Sequence, residues 1–127
     1  DASIGVGGVN PHASEGGLFG SEDEDIVAPA VGRARKMGSN VEGPLPADSM
    51  FATDRHEIYV VMLHDQGHIP FKCATPFGGS AIGIGTGILF GSVAHGSAHD
   101  IAGQGIAKPD AMIAATKNIA RLLAQQT

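Results

Sequence analysis

Two short apolar segments, each followed closely by polar side chains, most constrain the fold of this chain. Residues 58–63 lead directly to His64 and Asp65, and residues 4–9 lead to His12. Apolar runs of this length that are rich in strand-forming residues are typical of buried strands. Because open α/β sheets bind ligands outside the carboxyl ends of their strands, the pattern predicts a functional site where both segments end.

A first helix is predicted to begin at Ser21. Ser21 and Glu24 have the spacing of a capping box, and the neighbouring acids, Asp23 among them, favour the positive end of a helix. The apolar residues that recur on one face are Ile26, Val27, Ala30, Val31 and Ala34, and Gly38 suits the end of the helix. The expected helix therefore lies between the two apolar segments.

The rest of the chain adds further elements. Residues 40–48 are too rich in proline for a central strand, and residues 81–85 predict another strand. Residues 92–105 predict a glycine-rich loop, and residues 109–124 predict a helix that begins at proline. The stripe expected to face the core comprises Met112, Ile113, Thr116, Ile119, Ala120 and Leu123. The alternation of strands and helices predicts an α/β fold.

Composition excludes several classes of protein. The 127 residues suit one compact domain, and 43% hydrophobic with 17% charged residues argues against disorder. A net charge of -5 and the lack of a nucleic-acid motif exclude a nucleic-acid partner. Apolar runs of membrane-spanning length and a signal peptide are also absent, so no membrane partner is expected. Cys73 is the single cysteine, which favours a reducing cytoplasm, and it is expected to pack rather than react.

Two histidines are the candidate metal ligands. Each one taken singly is more simply a hydrogen-bonded loop residue, but His12 and His64 both follow predicted strands and lie near Glu15 and Asp65. Imidazole suits divalent transition metals, and adjacent carboxylates orient the rings or add ligands. His68 follows His64 too closely for shared ligation in a loop. A third ligand is therefore expected from elsewhere in the chain, from a further segment, or from a partner subunit.

Three other features carry candidate chemistry. Lys72 is flanked by Phe71 and Cys73, and a desolvated lysine exchanges protons near neutrality. Asp48 follows a proline-rich turn and is equally well explained as a turn residue. Residues 95–107 offer glycines, serine and histidine suited to a ribose and an adenine, although the usual dinucleotide fingerprint is absent.

Four motifs in order resemble the 4-hydroxythreonine-4-phosphate dehydrogenase family of pyridoxal phosphate biosynthesis. They are residues 10–17 (NPHASEGG), residues 43–48 (GPLPAD), residues 64–67 (HDQG) with Lys72, and residues 95–98 (HGSA) with residues 100–103 (DIAG). The last motif also resembles the adenine-ribose loop of isopropylmalate and isocitrate dehydrogenases. The resemblance implies a three-layer α/β/α fold of that type and the C-terminal portion of a two-domain enzyme. Residues 1–91 would belong to the metal-binding and dimer-interface domain, and residues 92–127 would supply the cofactor loop and a helix returning to the other domain.

The resemblance also implies an activity. The family oxidises a secondary alcohol of a β-hydroxy acid with NAD or NADP and then decarboxylates the product, with a divalent metal such as Zn, Mg, Mn or Co. His12 and His64 match two of its three metal-binding histidines, and Asp48, Asp65 and Lys72 match its catalytic and substrate-site residues. The implied cofactor-binding residues are His95, Gly96, Ser97, Ala98 and Asp100. A cytoplasmic homodimer with a shared active site is implied as well.

Three departures from the family bear on the substrate. The chain corresponds only to the C-terminal portion, so the third histidine belongs to the remainder. Ala81 replaces an asparagine and Phe90 replaces an arginine, which removes a bidentate phosphate clamp. A branch of the family that oxidises dihydrodiol carboxylates from terephthalate breakdown needs no phosphate contact, and it is the alternative. Two further alternatives are a catalytically inactive fragment that acts as a dimerisation or binding module, and a non-catalytic metal-binding protein.

Overall fold

The computed structural model describes residues 1–53, 55–76, 79–83, 85 and 87–125. It has mixed α/β architecture, and its contacts divide the chain into two compact units, Asp1–Pro70 and Phe71–Thr127. Length alone favoured one compact domain, so this division is a difference from expectation. The predicted boundary after residue 91 concerns the domains of a longer protein and stays a prediction.

A three-stranded parallel sheet forms the first unit. Its strands are β1 (Ile4–Gly7), β2 (Val41–Leu45) and β3 (Ile58–Val60), and their order in the sheet is β2-β1-β3. Both apolar segments therefore form strands, although each strand is shorter than its apolar run. The proline-rich segment occupies the edge strand β2, where a missing backbone N–H is tolerated.

The core of the first unit lies between this sheet and helix α1 (Ala28–Lys36), which a π-helical turn (Asp23–Val27) precedes. Val27 and Val31 are each 3% exposed and pack with Val6 and Val41 of the sheet. The predicted apolar face of the first helix is confirmed for Val27, Val31 and Ala34. It is wrong for Ile26, which is 64% exposed, and for Ala30, which is also exposed.

The start of this helix differs from the prediction, whereas its end agrees with it. Within the described residues Ser21 provides no side-chain cap, so the predicted capping box with Glu24 is wrong. The backbone carbonyl of Ser21 instead accepts a hydrogen bond of α-helical spacing from the Asp25 N–H at 2.8 Å, and the wider π-helical spacing appears in the bond from the Ala28 N–H to the Asp23 carbonyl. At the other end, Gly38 has a φ of 93° and donates its N–H to the Arg35 carbonyl at 3.0 Å, as a helix stop requires.

Helix α2 (His64–Ala74) replaces the loop that was expected after the third strand. Gly67 and Pro70 are unfavourable within a helix, but the Gln66 side chain accepts hydrogen bonds from the backbone N–H groups of Met62 and Leu63 at 3.1 and 3.0 Å. These bonds hold the backbone at the start of the helix. The side chain of Cys73 on α2 is exposed, so the expectation that it packs is wrong.

An antiparallel hairpin begins the second unit. Strand β4 (Ser80–Gly83) pairs with β5 (Phe90–Val93), and Ala81 lies opposite Ser92. Of the strand predicted at residues 81–85, Ile84 lies outside the described residues. Residues 92 and 93 belong to β5, so the predicted glycine-rich loop begins two residues later, and it includes a short 3-10 turn (His99–Ile101).

Helix α3 (Asp110–Ala124) follows Pro109, as predicted. The face that it buries is not the predicted stripe, because Ala111 and Ala115 are buried while Met112 and Leu123 are 56% and 51% exposed. Ile119 is the member of the predicted stripe that packs against the hairpin, where it lies directly beside Gly91. None of the helices in the described ranges combines the length and apolar character that crossing a membrane requires.

Candidate functional site

An open cavity of about 590 Å³ lies in the first unit. Segments that follow all three strands of the parallel sheet line it: Asn10, Pro11 and His12 after β1, Ala47, Asp48 and Phe51 after β2, and Asp65, Gln66, Ile69 and Pro70 after β3. The carboxyl ends of parallel strands meet at one edge of a sheet, which explains why these segments converge. A cavity of the first unit therefore lies where the sequence predicts a functional site.

Three of the predicted site residues share this cavity, namely His12, Asp48 and Asp65. His64 precedes Asp65 on α2, its side chain is 73% exposed, and its Nδ1 lies 2.7 Å from Asp65 Oδ1. Because a carboxylate only accepts hydrogen bonds, Nδ1 is the donor, and the lone pair of the neutral ring is left on Nε2. That is the arrangement commonly found for a histidine that binds a metal through Nε2.

The donor chemistry of this cavity suits a divalent ion, since it combines imidazole with carboxylate oxygens. No three histidine, cysteine, aspartate or glutamate side chains in the described part of the chain lie close enough to hold an ion together. Within the described residues, therefore, no third side chain completes a metal site with the predicted ligands His12 and His64.

The backbone around His12 has an unusual conformation. His12, Ala13, Ser14 and Glu15 have φ values of 54°, 51°, 71° and 43°, in the left-handed region. Each non-glycine residue held there costs on the order of 1 to 3 kcal/mol and requires support from its surroundings. The ring of His12 also stacks on Phe19 at a centroid distance of 5.7 Å. Tertiary interactions therefore hold this segment in place.

The main support is Asp23, which is fully buried. Its Oδ1 accepts the Val9 N–H at 2.6 Å, and its Oδ2 accepts the Asn10 N–H at 3.0 Å and the Ser14 hydroxyl at 2.8 Å. Ser14 is also fully buried. The sequence prediction gave Asp23 only a role in favouring the helix start. Asp23 precedes Val27 by four residues and therefore lies on the same face of the helix as that apolar residue. This spacing was the feature of the sequence that could have indicated its burial.

Asn10 makes a second polar link beside the cavity. Its Nδ2 donates to Glu22 Oε2 at 2.6 Å, and this hydrogen bond, together with a backbone bond, holds the pKa of the Glu22 carboxyl below its usual value of 4.5. A depressed carboxyl pKa stabilises the folded state above the unfolded-state pKa. That stabilisation is lost as the pH falls through the folded-state pKa.

Replacing Asn10 by alanine is expected to raise the pKa of Glu22 toward 4.5, because the largest cause of the depression is removed. The variant should therefore lose less stability than the wild type on acidification below pH 4.5. Carboxyl-detected NMR titration measures the pKa directly. Asn40→Ala, at an exposed asparagine, is the matched control. An unchanged Glu22 titration in Asn10→Ala contradicts this assignment.

A second cavity, of about 790 Å³, lies in the second unit. Lys72, His95, Gly96 and Ala98 line it, while Ser97 and Asp100 are not among the described residues that do. The sequence prediction grouped Lys72 with Asp48 and Asp65, but Lys72 lines this second cavity, whereas the two aspartates line the first. The roles predicted for Lys72 and for the cofactor loop stay predictions.

Lys108 also lines the second cavity, and the sequence prediction missed it. It stands between the glycine-rich loop and the start of α3. Two lysines on one cavity favour an anionic group of a ligand, such as a phosphate. The feature of the sequence that could have indicated this role is the position of Lys108 directly after the candidate nucleotide-binding loop.

Comparison with known proteins identifies relatives over nearly all of the chain. A family model described as pyridoxal phosphate biosynthetic protein PdxA matches residues 1–119. The chain is 53% identical over 122 residues to a 1,2-dihydroxy-3,5-cyclohexadiene-1,4-dicarboxylate dehydrogenase from a Comamonas species, covering 96% of this chain and 38% of that protein. It is 44% identical over 126 residues to a 4-hydroxythreonine-4-phosphate dehydrogenase from Caulobacter vibrioides, covering 97% of this chain and 38% of that protein.

A solved structure of a similar enzyme also matches this chain. The 4-hydroxythreonine-4-phosphate dehydrogenase from Klebsiella pneumoniae superposes with a TM-score of 0.78 at 43% identity, covering 93% of this chain and 37% of that one. The chain therefore spans less than two fifths of the length of the relatives it matches.

Proposed function

Since this chain belongs to the PdxA family of pyridoxal phosphate biosynthetic proteins, we propose that it forms part of a dehydrogenase for a β-hydroxy acid. The reaction is oxidation of a secondary alcohol with NAD or NADP, followed by loss of carbon dioxide. The observation that most supports this proposal is the convergence of His12, Asp48 and Asp65 on one cavity at the ends of three parallel strands. The names of the relatives, all dehydrogenases, support the same class of reaction.

The proposed architecture of the whole protein is the three-layer α/β/α type of isopropylmalate and isocitrate dehydrogenases. The parallel sheet β2-β1-β3 with α1 packed against it is consistent with that type. In the proposal, residues 1–91 belong to a metal-binding and dimer-interface domain, and residues 92–127 contribute the cofactor loop and a helix to the other domain.

A divalent ion, such as Zn, Mg, Mn or Co, is proposed to bind His12 and His64. The hydrogen bond from His64 Nδ1 to Asp65 Oδ1 supports ligation through Nε2, and the imidazole and carboxylate donors suit such an ion. When bound, the ion supplies Lewis-acid polarisation of the alcohol and carbonyl oxygens. The third ligand is proposed to come from outside the present chain.

The side chains of this chain are proposed to bind the substrate and to move its protons. Asp48 and Asp65 line the cavity and can accept hydrogen bonds from substrate hydroxyl groups. In the oxidation, the alcohol carbon loses a hydride to the nicotinamide and its oxygen loses a proton to a base. After carbon dioxide leaves, a proton returns to the carbon that carried it, and Lys72 is the proposed donor.

The cofactor is proposed to bind through its adenosine end to the loop of His95, Gly96, Ser97, Ala98 and Asp100. The second cavity, which His95, Gly96 and Ala98 line, supports this assignment. Lys108 on the same cavity suits a phosphate of NAD or NADP.

A dihydrodiol carboxylate is a second candidate substrate, and a specific observation favours it. Phe90 and Ala81 stand where the family's phosphorylated substrate requires arginine and asparagine, and phenylalanine offers no bidentate donor for phosphate. The identity of 53% to a dehydrogenase of a cyclohexadiene dicarboxylate, against 44% to a 4-hydroxythreonine-4-phosphate dehydrogenase, points the same way.

The proposed assembly is a cytoplasmic homodimer with a shared active site. The exposed apolar side chains of the first unit, which include Leu63 and Ile69 at 53% and 63% exposure, support burial against further protein surface. In the alternative proposal, these 127 residues on their own form a catalytically inactive dimerisation or binding module.

NADH formation by the complete gene product tests the proposal. Phosphorylated hydroxythreonine and a dihydrodiol carboxylate are compared, each with and without a chelator. We expect the dihydrodiol to be oxidised faster and the chelator to abolish the reaction. His12→Ala should abolish it as well, while Lys36→Ala, at an exposed residue that lines neither cavity, serves as the control.

This assay tests the metal role, the substrate preference and the inactive-module alternative independently. Activity that survives the chelator contradicts the metal role of His12 and His64. Faster oxidation of the phosphorylated substrate contradicts the preference assigned to Phe90. Turnover by the isolated 127 residues contradicts the inactive-module alternative.

A further inference from the structure

His68 lies one helical turn beyond His64 on α2, a placement that a loop would not have given. In an α-helix, residues four apart lie on the same face. The two imidazole rings stack with a centroid distance of 4.1 Å and an angle of 9° between their planes. A nearly parallel pair at this distance is a specific contact between the two side chains.

The geometry of the pair decides between two roles for His68. Imidazole nitrogen binds a metal along its lone pair, which lies in the plane of the ring. Two stacked rings whose planes are nearly parallel and whose centroids lie 4.1 Å apart do not have one ion in both ring planes. In this arrangement His68 is therefore not a second ligand to an ion bound by His64, and its flat face is what it presents to His64.

His64 needs such support because its side chain is 73% exposed. One edge of its ring is held by the hydrogen bond from Nδ1 to Asp65 Oδ1 at 2.7 Å. A single hydrogen bond at one edge leaves the ring free to rotate about that contact. A second flat ring against its face removes this remaining freedom.

We propose that His68 is a positioning residue, which holds the His64 ring by stacking so that Nε2 points toward a metal ion. The proposal rests on the proposed function, because it takes His64 as a metal ligand. Interactions that orient a ligand histidine typically contribute 10-fold or more to metal affinity. The two supports of His64 then act together, Asp65 on the edge of the ring and His68 on its face.

Two substitutions of His68 test the proposal, because they distinguish the contribution of the flat ring from that of its nitrogen atoms. His68→Phe keeps a flat ring without a metal-binding atom, and His68→Leu keeps apolar volume without a ring. Co²⁺ is titrated into the complete gene product, and binding is followed by its visible absorption. We expect His68→Leu to weaken Co²⁺ binding about 10-fold and His68→Phe to bind within about threefold of the wild type.

A second measurement distinguishes positioning from a general effect on folding. Carbon-13 NMR of the His64 ring should show the ring-current shift of a stacked partner in the wild type and His68→Phe, and its loss in His68→Leu. Circular dichroism checks that each variant is folded. His99→Leu is the matched control at an exposed histidine, and it should change neither measurement.

Different results in these measurements would contradict different parts of the proposal. Equal Co²⁺ affinity in His68→Leu and the wild type removes the positioning role. An equal loss in His68→Phe and His68→Leu shows instead that a His68 nitrogen is required. His64→Ala separates the two levels of inference: if it leaves Co²⁺ affinity unchanged, the metal site of the proposed function fails together with the positioning role. If it abolishes binding while both His68 variants bind normally, the positioning role alone fails.

Discussion

Asp23→Ala is expected to lower the free energy of unfolding by about 4 kcal/mol. The substitution leaves the N–H groups of Val9 and Asn10 and the hydroxyl of Ser14 without their acceptor, and Asp23 and Ser14 are fully buried. Each buried donor left unpaired costs about 1 to 3 kcal/mol. Urea denaturation followed by circular dichroism measures the difference.

Asp25→Ala is the matched control for this prediction. Asp25 lies two residues further along the same helical turn, and it is exposed. Its replacement should change the stability by no more than about 0.5 kcal/mol. Similar losses in the two variants mean that the charge near the helix start matters rather than the buried hydrogen bonds. If His12 binds a metal as proposed, the same Asp23→Ala variant should weaken that binding, because the left-handed segment that carries His12 loses its hydrogen bonds to Asp23.

Gly43→Ala is expected to cost about 3 kcal/mol of stability, the second large effect. Gly43 lies in the edge strand β2 with a φ of 153°, and a Cβ there would come within 2.6 Å of the Val6 carbonyl oxygen. Val6 belongs to the neighbouring strand β1, so a backbone atom must move to relieve the overlap. The shift would also disturb the segment that places Asp48 in the first cavity.

Gly38→Ala separates the two causes of that cost. Gly38 also has a positive φ, at 93°, but a Cβ at this position meets no atom within 4 Å. Its replacement should cost about 1 kcal/mol through backbone conformation alone. Thermal denaturation of both variants gives the comparison. If Gly43→Ala is no more destabilising than Gly38→Ala, the overlap with Val6 is relieved without cost.

The site at the carboxyl ends of β1 and β3 was predictable from short-range pattern alone. An apolar run followed by histidine or aspartate implies a buried strand with a polar end, and parallel pairing then brings His12 and Asp65 to the same edge. The helix α2 was not predictable in this way. Gly67 and Pro70 both disfavour a helix, and the hydrogen bonds that the Gln66 side chain accepts at its start depend on the arrangement of the preceding residues.

The sequence by itself determined the strands β1 and β3, the motifs and the family of this protein, because these depend on the order of residues along a short stretch of chain. Only the tertiary structure decided which groups donate to Asp23, that α3 buries Ala111 and Ala115, and that His64 and His68 stack. The physical reason is that burial and hydrogen bonding depend on which segments meet in space. The acceptor of the Val9 N–H lies 14 residues away along the chain, and no local pattern identifies it.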